Sequence, residues 1–285
     1  MTLRICIAPS DKQADVSSFQ GGYPLIVETI SINPLNRDHS QAKLTTYVVE
    51  GLRERPGVLI CPGGAYRFIS PREAEAVALQ FCAAGFNAFV LTYTVPPDHY
   101  HLPLRELSQA VCEIRKRASD WNLDPDRIAV CGFSAGGHLA ASLGVHWHKL
   151  EDAPMNKPNA LILSYPVISS GEHKHAGSFE NLLGPNPTPE MVEEMSLEKQ
   201  VNPNTPPTFL WHTVEDDVVP VENSLLFASA LQKNNILFEL HVFPHGPHGL
   251  SLATVETDDG RGISPHVGHW IGLCIEWLKE LFQFA

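Results

Sequence analysis

A serine lies in a short segment rich in small residues, Gly132-Phe133-Ser134-Ala135-Gly136. The apolar run Ile128–Cys131 precedes this segment, and Leu139, Leu143 and Trp147 follow it at helical spacing on one face. A strand that passes directly into a helix is the context in which G-x-S-x-G forms a nucleophile elbow, a tight turn that exposes the serine hydroxyl. Such a turn leaves no room for neighbouring side chains, so small residues must flank the serine. The segment therefore predicts a serine nucleophile.

A serine nucleophile needs a general base and backbone donors for the oxyanion that forms when it attacks a carbonyl. We expect the donors to be the N–H of Ala135, at the start of the predicted helix, and those of Gly64 and Ala65, in a Gly-rich segment that follows an earlier strand. We expect the base to be His248, because a Gly-flanked histidine in the loop after the last strand can reach across to Ser134.

An acidic segment, Glu215-Asp216-Asp217, follows another buried strand and so lies at the carboxyl edge of the sheet, where ligands bind. One of its carboxylates is expected to orient the imidazole. The chain order serine, carboxylate, histidine is the one that enzymes with G-x-S-x-G use. From the residues alone, the choice within this segment stays open, and His245 remains an alternative to His248 as the base.

The elements that must position these groups follow an alternating pattern. Segments 26–31 and 43–49 alternate at period two around a turn-rich stretch, which predicts an antiparallel pair. Helical spacing runs through 104–118 and 267–281. Strands alternating with helices predict a mostly parallel twisted sheet with helices on both faces, the α/β class. The remaining strands are expected at six short apolar runs with the length of strands buried on both faces: Val58–Cys61, Ala88–Leu91, Ile128–Cys131, Ala160–Leu163, Thr208–Trp211 and Glu239–Phe243.

One stretch, residues 171–205, breaks this rhythm with polar, Pro-rich sequence that contains a short helical piece. No internal repeat and no domain boundary is evident elsewhere. We therefore predict a single domain over 1–285, in which 171–205 is a small lid-like insert over the active site, at one edge of the sheet.

Composition excludes several classes of protein. The chain has 285 residues, 44% of them hydrophobic and 18% charged, with a formal net charge of −12, and this composition is typical of a globular protein. The acidic balance and the absence of a Lys/Arg run argue against nucleic acid as a partner. The N-terminus lacks the apolar core of a signal peptide, and no apolar run reaches the length of a membrane span. We therefore expect a cytoplasmic protein with no membrane partner.

Cysteines and histidines give no metal pattern. The six cysteines include no C-x-x-C pair and are expected to be reduced. Three H-x-H pairs lack a carboxylate companion at H-E-x-x-H spacing, so we expect surface or loop histidines and no metal or organic cofactor. These pairs are His99/His101, His146/His148 and His173/His175. Three tyrosines lie just beyond strand ends, where they either line the acyl pocket or cap the sheet edge: Tyr66, Tyr93 and Tyr165.

Three separated motifs together carry a family resemblance. They are Asp124-Pro125-Asp126-Arg127-Ile128 leading into Gly-Phe-Ser-Ala-Gly-Gly-His-Leu, Asp216-x-x-Val219-Pro220-x-x-Asn223-Ser224, and His248-Gly249. Over roughly residues 55–280 the chain resembles the bacterial esterase/lipase branch of the α/β-hydrolase superfamily, and most closely acetyl xylan esterases and related carbohydrate esterases. The resemblance implies the α/β-hydrolase fold, with Ser134 as nucleophile, Asp216 as acid and His248 as base. Pro62-Gly63-Gly64-Ala65 stands where hormone-sensitive-lipase relatives carry His-Gly-Gly-Gly, which favours the carbohydrate-esterase likeness.

The resemblance implies a serine carboxylesterase that hydrolyses short-chain esters through an acyl-enzyme. Its expected substrates are small-molecule esters, in particular O-acetyl groups of sugars or xylo-oligosaccharides. One alternative is a serine peptidase or amidase of the prolyl-oligopeptidase-like type, although those enzymes usually carry a propeller domain that 285 residues do not accommodate. Another is a non-catalytic binding protein of the same fold. The sequence leaves the oligomeric state open, with a homodimer among the alternatives.

Overall fold

A nine-stranded sheet forms the centre of the protein. The computed structural model describes residues 3–7, 23–33, 41–95 and 101–285. The strand order is β1-β2-β3-β5-β4-β6-β7-β8-β9. The strands are β1 Leu3–Ile7, β2 Tyr23–Ser31, β3 Lys43–Val49, β4 Arg55–Cys61, β5 Asn87–Thr92, β6 Leu123–Phe133, β7 Ala160–Ser164, β8 Thr208–Thr213 and β9 Phe238–Phe243.

The sheet is antiparallel at one end and parallel through the rest. β1 with β2, β2 with β3, and β3 with β5 pair antiparallel, whereas β5, β4, β6, β7, β8 and β9 run parallel. The predicted pairing of 26–31 with 43–49 is confirmed, with Ile30 opposite Leu44. β1 was not predicted, because Leu3–Ile7 is a short segment at the start of the chain and its partner strand β2 begins only at Tyr23.

Helices cover both faces of the sheet, as the sequence predicts. They are α1 Glu75–Ala83, α2 Leu102–Lys116, α3 Ala135–His146, α4 Ala176–Leu183, α5 Pro189–Glu194, α6 Glu222–Lys233, α7 Pro265–Gly268 and α8 Trp270–Leu281. The buried side chains of α2, α3 and α6 share one hydrophobic cluster, and those of α1 and α8 share another. Successive residues of a strand contribute to opposite clusters, as Leu59 and Ile60 of β4 do. The α/β fold and its two helical layers are confirmed.

One expectation about burial is wrong. β9 was expected to be buried on both faces, but most of its side chains are only partly buried, and Val242 is 41% exposed. The reason is that β9 is an edge strand, paired with β8 alone among the described strands. All twelve residues of α3 are buried, because it packs between the sheet, α2 and the segment around Leu197. Trp147 belongs to a short 3-10 turn that follows this helix.

The segment 171–205 is more regular than expected. It contains α4, α5 and the 3-10 turn Leu197–Lys199 rather than one short helical piece. Backbone hydrogen bonds join it to the body, one of them from the Leu197 N–H to the Ile168 carbonyl. Within the ranges given above, no helix is both long and apolar enough to span a membrane.

Candidate active site

Ser134 occupies a strained turn between β6 and α3. Its backbone has φ 52° and ψ −118°, a left-handed conformation that costs free energy for a residue other than glycine. A Cβ on Gly132 would lie 2.2 Å from the carbonyl oxygen of Gly136, and one on Gly136 would lie 2.1 Å from that of Cys61. The flanking glycines are therefore sterically required, as expected from the lack of room for side chains in such a turn.

Three side chains from three separate loops form one hydrogen-bonded chain. Ser134 Oγ lies 2.8 Å from His248 Nε2, and His248 Nδ1 lies 2.6 Å from Asp216 Oδ2. The three residues follow β6, β9 and β8, so all of them come from the carboxyl ends of parallel strands. Because a carboxylate can only accept, Nδ1 carries the imidazole proton, and Nε2 is left to accept from the serine hydroxyl. The structure thus brings together the residues predicted as nucleophile, base and acid.

The Asp216 carboxylate has further partners that fix it. Its Oδ1 accepts hydrogen bonds from the N–H of Val218 at 3.0 Å and of Val219 at 2.8 Å. Burial opposes ionisation, but hydrogen bonds from His212, His248 and the Val219 N–H outweigh it and hold the pKa of this carboxyl well below its usual range. Asp216 is therefore an anion at neutral pH and can hold His248 in the tautomer described above.

His212 is a buried partner of the acid that the sequence argument missed. Its Nε2 lies 3.3 Å from Asp216 Oδ2 and 2.9 Å from the Val219 carbonyl oxygen, and its Nδ1 lies 2.8 Å from Ser224 Oγ. Since Nε2 of His212 faces two acceptors, it carries the proton, and Nδ1 accepts from the Ser224 hydroxyl. The sequence signal that could have identified His212 is its position inside the apolar strand β8, four residues before Asp216.

The alternative acid and base residues face solvent. Asp217 and Glu215 are both exposed. Glu215 Oε1 lies 2.8 Å from His245 Nδ1, and the His245 side chain is 80% exposed. Neither alternative carboxylate is hydrogen-bonded to His248, so the geometry favours Asp216 and His248 over Asp217, Glu215 and His245.

The Gly-rich loop after β4 presents free backbone donors. Gly64, Ala65 and Tyr66 all have positive φ, at 130°, 54° and 56°. Among the described residues, none accepts a hydrogen bond from the N–H of Gly64 or Ala65. Ala135 is the first residue of α3, so its N–H has no acceptor within the helix. Gly64, Ala65 and Ser134 line the same cavity, so two of the three expected donors border the space beside the nucleophile. We call residues 62–66 the oxyanion loop.

A buried carboxylate, that of Glu73, holds the oxyanion loop in place through a hydrogen bond. Glu73 Oε2 accepts a hydrogen bond of 2.7 Å from the Gly63 N–H, and Oε1 accepts one of 2.6 Å from the Tyr165 hydroxyl. The Tyr165 oxygen in turn accepts from the Ser251 N–H at 3.0 Å, and the Gly63 carbonyl accepts from the Ser70 N–H at 2.9 Å. No sequence pattern pointed to Glu73, because its partners come from distant parts of the chain.

The hydroxyls of the other two tyrosines also form hydrogen bonds at this site. Tyr93 donates to the Pro62 carbonyl oxygen at 2.8 Å, and the Tyr66 hydroxyl lies 2.9 Å from His138 Nδ1. His138 Nε2 lies 3.0 Å from the Met195 carbonyl oxygen, so it donates there and its Nδ1 accepts from Tyr66. Burial lowers the pKa of His138 to about 4. All three tyrosines are buried, and each one supports the site through its hydroxyl.

The cavity beside Ser134 has a volume of about 330 Å³. Residues 171–205 contribute His175, Gly177 and Asn181 to its wall. Asn181 Nδ2 also donates to the Ala65 carbonyl oxygen at 2.8 Å, which links α4 directly to the oxyanion loop. The segment predicted as an insert therefore forms part of the pocket that contains Ser134.

Within the described ranges, no group of three or more His, Cys, Asp or Glu side chains could hold a metal ion. His146 was expected at the surface, but it is buried on α3, and this burial lowers its pKa to about 4. His175 caps α4 by accepting from the Ser178 N–H at 3.3 Å. His99 lies outside the described residues. Cys131, near the nucleophile, is buried and free, and burial raises the pKa of its thiol, so it is not a reactive thiolate.

Comparisons with known proteins identify the family of this chain. The BD-FAE family matches residues 50–231. The chain is 46% identical to "Endo-1,4-beta-xylanase B" of Butyrivibrio fibrisolvens over 73% of its own length and 34% of that protein. It is 29% identical to "Acetylxylan esterase" of Xylanibacter ruminicola over 76% of its length and 45% of that protein. The chain thus spans less than half the length of these two relatives.

A solved structure matches over almost its full length. The acetyl ester-xyloside bifunctional hydrolase of Caldicellulosiruptor lactoaceticus is 39% identical, with a TM-score of 0.81, covering 90% of this chain and 97% of that one. The chain belongs to the BD-FAE family, in the esterase/lipase branch of the α/β-hydrolase superfamily.

Proposed function

We propose that the protein is a serine carboxylesterase in which Ser134 is the nucleophile, His248 the general base and Asp216 the acid that orients it. The observation that carries this proposal is the unbroken chain of hydrogen bonds from Ser134 Oγ through His248 to Asp216, at 2.8 and 2.6 Å. Hydrogen-bond distance between nucleophile and base, with a third group holding the base, is the arrangement that nucleophilic catalysis requires.

In the first half of the reaction, Ser134 Oγ attacks the ester carbonyl carbon while His248 Nε2 takes the hydroxyl proton. The carbonyl oxygen becomes an oxyanion, which accepts hydrogen bonds from the N–H groups of Gly64, Ala65 and Ala135. One such donor is worth about 10²–10³ in turnover. The tetrahedral intermediate then collapses, and the imidazolium gives its proton to the departing alcohol.

In the second half, water attacks the acyl-enzyme. His248 Nε2 takes a proton from the water, the same backbone donors stabilise the second oxyanion, and the proton returns to Ser134 Oγ as the acid product leaves. Asp216 remains ionised throughout, because its pKa is held well below its usual range. Its negative charge stabilises the imidazolium in both halves.

We propose short-chain esters as substrates, in particular O-acetyl groups of sugars or xylo-oligosaccharides. The cavity of about 330 Å³ is lined mainly by polar and charged residues, and Phe68 and Val218 are the larger apolar side chains among them. This apolar surface can cover a short acyl group, whereas a long chain would need an extended apolar groove in which each buried CH₂ contributes about 0.8 kcal/mol. The names of the Xylanibacter and Caldicellulosiruptor relatives support the same substrate class. We further propose that the chain is a single domain in which 171–205 acts as a lid-like cover of the pocket.

The test combines covalent labelling with a substrate panel. A fluorophosphonate probe is expected to label the protein at Ser134, and Ser134→Ala is expected to lose both labelling and ester hydrolysis, leaving at most about 10³–10⁴ over water. Ser142→Ala, in the same helix, is the matched control for a buried serine that is not the nucleophile. Ester hydrolysis that survives in Ser134→Ala would refute the serine mechanism.

The panel contains 4-nitrophenyl esters from acetyl to decanoyl, acetylated xylo-oligosaccharide and an aminoacyl anilide. We expect kcat/KM to fall steeply beyond butyryl, with deacetylation of the sugar and no anilide cleavage. A rate that rises with chain length would contradict the carbohydrate-esterase proposal and favour a lipase. Equal activity on the anilide would favour the peptidase alternative.

A further inference from the structure

The wall of the cavity that contains Ser134 carries several arginines, although the whole protein is acidic. The chain has 20 Lys and Arg against 32 Asp and Glu. Nevertheless, the cavity wall includes Arg67, Arg72 and Arg261, whereas Glu73 is its one carboxylate among the described residues. Glu73 is buried and already accepts hydrogen bonds from Gly63 and Tyr165. Its two oxygens are therefore occupied by neutral donors rather than by the arginines.

Two of the arginines share a single acid. Arg72 Nε lies 3.5 Å from Asp259 Oδ2, and Arg261 Nη1 lies 2.9 Å from the same oxygen. Arg72 is also committed to the backbone, since it donates to the carbonyl oxygens of Thr257 and Gly249 at 2.7 and 2.5 Å. Asp258 is a further negative charge close to Arg72. These two acids balance the charges of Arg72 and Arg261, but the ion pair of Arg261 uses only its Nη1.

Arg67 and Arg261 both keep guanidinium N–H groups that are available to a ligand. Arg67 is exposed, follows the oxyanion loop directly, and donates no side-chain hydrogen bond to any described residue. Arg261 is 46% exposed and lies over the loop that carries the base, because its Nη1 is 3.4 Å from the position of a Cβ built on Gly249. One cationic side chain thus adjoins the oxyanion donors and the other adjoins His248.

We propose that Arg67 and Arg261 bind a carboxylate on the substrate, so that the preferred ester is an acidic one, such as an acylated acidic sugar. A planar guanidinium presents paired N–H donors that match the two oxygens of a carboxylate. This inference rests on the proposed esterase function of the same site.

The test uses two acetyl esters that differ by one charge, 4-acetoxybenzoate and its methyl ester, each corrected for its rate of hydroxide hydrolysis. The measured quantity is the ratio of kcat/KM for the anionic ester to that for the neutral one. In the double variant Arg67→Gln, Arg261→Gln we expect this ratio to fall about tenfold or more, the usual effect of losing hydrogen bonds to a charged group. Arg→Lys at both positions is expected to recover part of the ratio. A second pair, mono-4-nitrophenyl succinate and 4-nitrophenyl butyrate, locates the charge in the acyl half instead.

Arg127→Gln is the matched control, because Arg127 is a partly exposed arginine paired with Asp124 on β6, outside the cavity. Its ratio is expected to equal that of the unmodified protein. A double-glutamine variant whose ratio stays within twofold for both substrate pairs would overturn the acidic-substrate proposal while the esterase function stands. Failure of the unmodified protein to hydrolyse any of the four esters would instead refute the esterase function itself.

Discussion

The carboxylate of Glu73 accepts a hydrogen bond of 2.7 Å from the backbone N–H of Gly63, in the loop that presents the free donors of Gly64 and Ala65. Both groups that face this carboxylate are donors, since Tyr165 points its hydroxyl proton at the other oxygen. Tyr165 must donate because its oxygen already accepts from the Ser251 N–H. Only a side chain that accepts at both oxygens fits this position, so Glu73 is a positioning residue for the oxyanion loop.

Glu73→Gln should therefore lower kcat. An amide can accept at one atom only, and its NH₂ would face either Gly63 or Tyr165, which displaces the loop. Since oxyanion donors act in the transition state, we expect kcat to fall about ten- to a hundredfold with little change in KM. Glu75→Gln, at an exposed position two residues later, is the control. Equal kcat in the two variants would show that Glu73 does not position the loop.

The choice of acid is tested by Asp216→Asn and Asp217→Asn. An amide at the orienting position removes the charge that stabilises the imidazolium and disturbs its tautomer, so turnover should fall by about 10⁴ in Asp216→Asn. Asp217 is exposed, and its amide variant should change turnover less than threefold. The measurement is steady-state turnover of 4-nitrophenyl acetate. A large loss of turnover in Asp217→Asn, with little loss in Asp216→Asn, would mean that Asp217 is the acid.

The steric requirement for glycine at position 136 can be tested by measuring the free energy of unfolding. A Cβ on Gly136 would lie 2.1 Å from the Cys61 carbonyl oxygen, a backbone atom that cannot move without shifting β4. We expect Gly136→Ala to lower the free energy of unfolding by about 3 kcal/mol in urea titrations. Gly272→Ala is the control, because a Cβ there meets nothing within 4 Å on α8 and should raise stability by about 0.5–1 kcal/mol. Equal changes in the free energy of unfolding in the two variants would mean that the close contact at Gly136 does not require glycine.

The sequence predicted those parts of the site that depend on local patterns. The elbow at Ser134 needs a strand, a glycine-flanked turn and a helix in immediate succession, and all three can be recognised within about twenty residues. The loops that carry Asp216 and His248 follow apolar strands in the order expected for this chemistry. Each of these signals lies within one continuous segment.

The residues that support the site could not be found in this way. Glu73 and His138 each act through partners that are distant in sequence, such as Tyr165 for Glu73 and Met195 for His138. Their residue types are compatible with an exposed position, and only the tertiary structure shows that they are buried. The edge position of β9 is likewise a property of strand order, which its own apolar sequence does not encode.

Buried neutral histidines should make stability fall in mild acid. The pKa of His138 is about 4 in the folded protein, against about 6.5 in an unfolded chain, so between these values the unfolded state binds the extra proton. Stability therefore decreases as pH falls from 6.5, by about 2.5 kcal/mol for this residue at pH 4.5. Glutamine can accept from Tyr66 and donate to Met195 as the neutral imidazole does, but it takes up no proton. We expect His138→Gln to lose about 2.5 kcal/mol less than the unmodified protein between pH 7 and 4.5 in urea unfolding, whereas His148→Gln, at an exposed position, should lose as much as the unmodified protein. If the free energy of unfolding had the same pH dependence in all three proteins, His138 would take up its proton as readily in the folded state as in the unfolded state.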